Sequence, residues 1–170
     1  NRLANDARVS QRALREIYLR NFEIAIKYSQ PWTLMTSYNY LNGRYTSEDK
    51  GLLEDVLRGE FGFEGMIVTD WGGGLDAAAQ MAAGNDMIQP GAPAHYERIV
   101  KSVKDGTLKE ADLDKCVTRV LEMIVKTPKF KGYKFSNKPD LKAHAAITRE
   151  VASEGFVLLK NDDKALPMVS

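Results

Sequence analysis

The chain has 170 residues, 44% hydrophobic and 28% charged, enough apolar content for a packed core. Its 24 basic residues are offset by 23 acidic ones, and a net charge of +1 gives no electrostatic footing for nucleic acid or an anionic membrane. No apolar run approaches the roughly 18 residues that span a bilayer, and Asn1 to Asp6 lack a signal-peptide pattern.

Leu14, Tyr18, Phe22 and Ile26 recur every four residues, which predicts an amphipathic helix from Ser10 to about Tyr28 with one buried stripe. A strand follows at Trp32 to Ser37, and Asn42-Gly43 marks a turn. Thr46-Ser47 with Glu48-Asp49 has the composition of a helix start, for a helix running to about Arg58. Next come a strand ending at Asp70, a helix at about Leu75 to Ala82 and a short strand at Asp86 to Ile88. Two more helices are predicted, about Ala94 to Lys104 and Glu110 to about Lys126, the second stopping before Pro128. Lys129 to Pro139 reads as a polar connector dotted with aromatics. A last helix, roughly Asp140 to Ser153, leads into an apolar strand at Phe156 to Leu159. Cys116, the single cysteine, cannot form an internal disulfide and reads as a buried or half-buried thiol within a helix.

The stretch Val68-Thr69-Asp70-Trp71 carries the chemistry. Met66-Ile67-Val68 is a short continuous apolar run of the kind buried on both faces of a parallel sheet, and Gly72-Gly73-Gly74 cannot continue it. Asp70 therefore stands at the C-terminal end of a strand, where parallel α/β folds place their reactive groups. A helix cap is the alternative role for an aspartate at that position. The triple glycine is not read as a phosphate loop, since no lysine-serine or lysine-threonine pair follows it. His95 and His144 stand apart without ligand spacing, so no metal centre is expected, and no cofactor either.

Together with Leu34-Met35-Thr36-Ser37-Tyr38-Asn39-Tyr40-Leu41-Asn42-Gly43, Phe61-Gly62-Phe63-Glu64-Gly65, Ala83-Gly84-Asn85-Asp86-Met87 and Gly155-Phe156-Val157-Leu158-Leu159-Lys160-Asn161, this stretch resembles the barrel domain of family 3 glycoside hydrolases in order and spacing. The repeated βα units alone point to a parallel sheet, and their closed solution is a (β/α)8 barrel of about 250 residues. Only about three units are present. The resemblance implies an α/β fold that is part of a TIM-like barrel: its C-terminal half over residues 1–127, then 128–170 leading to a second α/β domain. The chain is thus expected to be a piece of a longer enzyme.

The resemblance further implies a retaining mechanism on β-glucosides or oligosaccharides. Asp70 matches the nucleophile, while the acid/base belongs to the second domain, beyond Ser170. Trp71, Tyr38 and Met35 match residues that shape the sugar subsite, with packing as the competing role for each. The lysine and histidine that bind sugar hydroxyls in the family precede Asn1. Arg2, Asn5 and Asp6 are expected near the pocket without touching sugar, Asp86 in hydrogen bonding, and Glu60 and Glu64 as solvated charges. A β-xylosidase or related exo-glycosidase, a non-catalytic carbohydrate-binding remnant, and a different α/β enzyme with Asp70 as general base are the other readings. The expected partners are the substrate and the rest of the parent polypeptide, with no nucleic acid or membrane; the compartment is left open.

Overall fold

A computed structural model describes residues 2–168. The chain divides into two compact units between Gly132 and Tyr133. In the first, β2 (Thr33–Met35) pairs in parallel with β5 (Met66–Val68), in the register Thr33 with Met66, Leu34 with Ile67 and Met35 with Val68. On the other side of β5 the next unit contributes a single bridge, Val68 to Met87. Successive βα units thus lie side by side in chain order, a mixed α/β arrangement in which the barrel is not closed. A small second sheet joins β1 (Asp6–Ala7) in parallel to β3 (Tyr40–Leu41), which pairs antiparallel with β4 (Arg44–Tyr45). Asn42 and Gly43 make the two-residue turn between them with φ of 51° and 87°, the left-handed pair that a tight hairpin demands.

The first predicted helix begins where its sequence says, with the Ser10 hydroxyl accepting from the Ala13 amide. Leu14–Tyr18 widens to π geometry, and Arg20–Ser29 returns to α. Leu14 and Ile26 are buried as expected, but Tyr18 and Phe22 from the same stripe remain 59% and 42% exposed. The fully buried Ile67 of β5 packs with Ile26, Leu53, Leu57 and Phe63. Such side chains each contribute about 1.5 to 3 kcal/mol on full burial. Met66 and Val68 are only half-buried, because the sheet here is little more than two strands wide. The second core gathers Ala78, Met81, Leu108 and Cys116, between α3 (Ala77–Ala83), α4 (Pro93–Lys104) and α5 (Glu110–Lys126).

The base of β5 is pinned by charge. Asp86 Oδ2 accepts from the Ile67 amide and from Arg58, each at 2.7 Å. Arg119 reaches Asp86 Oδ1 at 3.1 Å and Glu54 at 2.9 Å. Burial pushes the Asp86 carboxyl up, while the Ile67 amide and the two arginines pull it down. Asp86 is thereby engaged in hydrogen bonding at the end of the strand opposite Asp70.

Four expectations need correction. Asp86 to Ile88 makes one bridge rather than a strand, since Met87 alone pairs with Val68. Thr46-Ser47 does not open the long helix: Thr46–Glu48 is a separate 3-10 turn, and the Asp49 carboxylate accepts from Leu52 at the start of the π-helical segment Gly51–Glu60. Glu60 at its end pairs with Arg15 rather than standing free in a loop. In the second unit, α6 (Leu141–Gly155) forms as predicted, but Phe156 to Leu159 has no strand partner among the described residues and stays 61 to 91% exposed.

Candidate active site

The strand-end position of Asp70 is realised structurally. β5 ends at Val68, Thr69 N–H donates to Met87 O, and Asp70 follows half-buried at the C-terminal edge. The capping alternative is overturned, because α3 is capped by Asp76, whose Oδ1 accepts from Ala78 and Ala79. Asp70 Oδ1 instead accepts from its neighbour Trp71 N–H at 2.7 Å. Its carboxylate is left with a different partner.

That partner is Tyr38. The β2 strand ends beside β5, with Thr36 N–H donating to Val68 O, so the loop after β2 emerges on the same edge as the loop after β5. The Tyr38 hydroxyl lies close enough to the Asp70 carboxylate for that carboxylate to act on its titration. Partial burial, then the neighbouring Asp70 carboxylate, hold the hydroxyl above the ordinary tyrosine range, while Arg2 pulls it the other way. The phenol therefore stays protonated and able to donate. The Trp71 amide holds one oxygen of the carboxylate, and the phenol stands beside it.

Arg2 is the member of this site that sequence reasoning placed nearby without a role. Its guanidinium lies 5.4 Å from the centroid of the Tyr38 ring, a cation–π distance. Nothing local in the sequence links positions 36 residues apart. The link is the parallel pairing of Asp6–Ala7 with Tyr40–Leu41, which draws the N-terminal segment alongside the Tyr38 loop. A basic residue a few positions before a short strand is too common a pattern to have flagged it.

Trp71 is 66% exposed, its indole free of the core. Met35, at the end of β2, is 58% exposed and lines an apolar groove of about 450 Å³ with Tyr18, Phe22, Leu34 and Leu52. The structure thus brings Asp70, Tyr38 and Arg2 together, sets Trp71 beside them through the chain, and places Met35 in the neighbouring groove. An ionised carboxylate presented this way is competent as a nucleophile or a general base.

Residues 4–123 match the family model described as glycosyl hydrolase family 3 N terminal domain. The chain is 41% identical over 172 residues to an exo-α-(1→6)-L-arabinopyranosidase of Bifidobacterium breve, covering 99% of this chain and 22% of that protein. It is 40% identical to thermostable β-glucosidase B of Acetivibrio thermocellus, covering 98% and 22%. Among solved structures, β-glucosidase 3B of Thermotoga neapolitana in complex with glucose superposes with a TM-score of 0.88 at 48% identity, over 99% of this chain and 25% of that one. A Bifidobacterium adolescentis β-glucosidase gives 0.83 at 38%. The chain therefore spans about a fifth of the length of the curated relatives it matches.

Proposed function

Because the chain belongs to glycosyl hydrolase family 3, we propose that it forms part of the catalytic barrel of a retaining exo-β-glucosidase, with Asp70 as the nucleophile. The observation that carries this is the carboxylate of Asp70 at the open C-terminal end of β5, held by Trp71 N–H with the Tyr38 hydroxyl near it. Attack by that carboxylate on the anomeric carbon forms a glycosyl ester, splitting one hard displacement into two easier ones. Its negative charge also stabilises the oxocarbenium-like transition state. The acid/base, about 5 to 5.5 Å away in a retaining enzyme, is supplied by another part of the polypeptide. Residues 1–127 are the barrel portion and 128–170 the connector toward a second domain.

In this reading Trp71 offers an aromatic face to the apolar C–H surface of the sugar, Tyr38 and Met35 shape the subsite, and Arg2 packs over the Tyr38 ring. Glucose in the Thermotoga neapolitana structure supports a glucosyl subsite. The arabinopyranosidase name among relatives of similar identity supports a second reading, an exo-glycosidase of related specificity. A panel of aryl β-D-glucoside, β-D-xyloside and α-L-arabinopyranoside separates the two by kcat/KM.

The nucleophile is tested by trapping. A 2-deoxy-2-fluoro-β-glucoside incubated with the parent enzyme should label the peptide containing Asp70, read by mass spectrometry, and Asp70→Asn should remove most turnover with the fold intact. Label on another carboxylate sinks the assignment.

A further inference from the structure

We infer that the turn Thr46–Glu48 is a positioning bracket for the nucleophile, tying the Asp70 loop and the Tyr38 loop to one another; this rests on the reading of Asp70 as nucleophile. The turn lies outside the residues that face the substrate in that reading. Its hydrogen bonds run to both loops.

On one side Thr46 Oγ1 accepts from Ser37 N–H at 2.9 Å and lies 2.9 Å from the Ser37 hydroxyl, so the residue before Tyr38 is held by main chain and side chain together. On the other side a single oxygen of Glu48, Oε1, accepts from the amides of Leu75 at 2.5 Å and Asp76 at 2.9 Å. Those amides close the loop that starts at Asp70. Between them the loop is already folded back, with Gly73 N–H donating to Asp70 O at 2.9 Å and the Gln80 side chain donating to Gly73 O at 3.3 Å. Gly74, at φ of 89°, lies so close to the turn that a Cβ there would come within 2.5 Å of the buried Ser47 hydroxyl. Loop and turn are therefore in direct contact.

Two adjacent amides converging on one carboxylate oxygen form a strong acceptor site. Removing Glu48 leaves both donors without that partner and frees the loop to shift. A displacement of about 1 Å at a reacting group costs on the order of 100-fold in rate. Binding of the sugar, made mainly by other groups, changes far less. A residue acting only on stability would lower the melting temperature and leave the rate of covalent-intermediate formation alone.

The test uses the parent enzyme and inactivation by the 2-deoxy-2-fluoro-β-glucoside, which separates the rate constant of glycosyl-enzyme formation from the inhibitor's binding constant. In Glu48→Ala the rate constant should fall on the order of 10- to 100-fold, with binding changed by less than about threefold. Glu48→Gln keeps an acceptor oxygen at the same reach and should recover to within about threefold of wild type. Should Glu48→Ala fail to fold, the near-isosteric Thr46→Val carries the test, with the same slowing expected. Label on Asp70 at an undiminished rate in the variant that folds, or no recovery in Glu48→Gln, overturns the bracket alone. Label on a different carboxylate in the wild type removes the nucleophile reading, and the bracket with it.

Discussion

Trp71 stands two-thirds exposed beside a carboxylate, and an indole exposed to that degree contributes little to folding where it stands. On the proposed reading its value lies in what it touches during turnover. Trp71→Ala in the parent enzyme should therefore lower kcat/KM on the order of 10- to 1000-fold, the range for truncating a buried aromatic contact, while the melting temperature moves little. Near-normal kcat/KM, or a large fall in melting temperature with kinetics preserved, would show that the ring packs the rim instead. The strand-end position of Asp70 was legible in the sequence because an apolar run followed by glycines fixes a strand end. The nearness of Asp70 to Tyr38 was legible only in part, since both were placed at strand ends without the register that joins them. Arg2 had no local signature, and its place depends on a pairing between strands of two residues each.

At the level of elements, the helices with strong 3.6-residue periodicity appear where they were read, α5 with the same bounds. The strands were harder, because a strand exists only through its neighbour. Met87 has one bridge and Phe156 to Leu159 none among the described residues, although both sequences are apolar enough to pair. The turn at Thr46–Glu48 was misread for a related reason: hydroxyl and carboxylate side chains there satisfy amides of other segments rather than of the following helix. Asp76 does the capping instead, and its consequences can be measured. Asp76→Ala should weaken α3 by about 1 kcal/mol, seen as faster amide exchange at Ala78 and Ala79. Hydrogen bonding by Arg98, then the two capped amides, hold the Asp76 carboxyl below its ordinary value of 3.8. A lowered carboxyl contributes stability above its unfolded value and loses it as pH falls through the folded one. The advantage of wild type over Asp76→Asn should therefore be full at pH ~7 and shrink below pH ~4. An advantage that stays constant on acidification would show that the Arg98 pair does not stabilise the fold.

For the whole molecule, the decisive fact is that the sheet is open. Parallel neighbours run from β2 through β5 to Met87 without closing, and one flank is the apolar groove in which Tyr18 and Phe22 of the first helix remain exposed. In solved relatives the matching segment is about a quarter of the chain. A barrel enzyme draws its site from the ends of several strands, so on the proposed reading a segment holding few of them presents the nucleophile while other parts of the polypeptide supply the remaining groups. An oriented carboxylate alone cannot expel an alkoxide efficiently, because the leaving group departs as a poor anion when nothing donates to it. The 170-residue chain on its own should therefore show no turnover of an aryl β-glucoside, and its exposed apolar surface should bind hydrophobic dyes and favour association. The parent enzyme, with the same Asp70, should hydrolyse the substrate readily. The comparison is made at equal molar concentration, with Asp70→Asn parent as the baseline. Efficient hydrolysis by the isolated chain, lost on Asp70→Asn within it, would show that its own residues complete the site and would overturn the assignment of the acid/base to another part of the polypeptide.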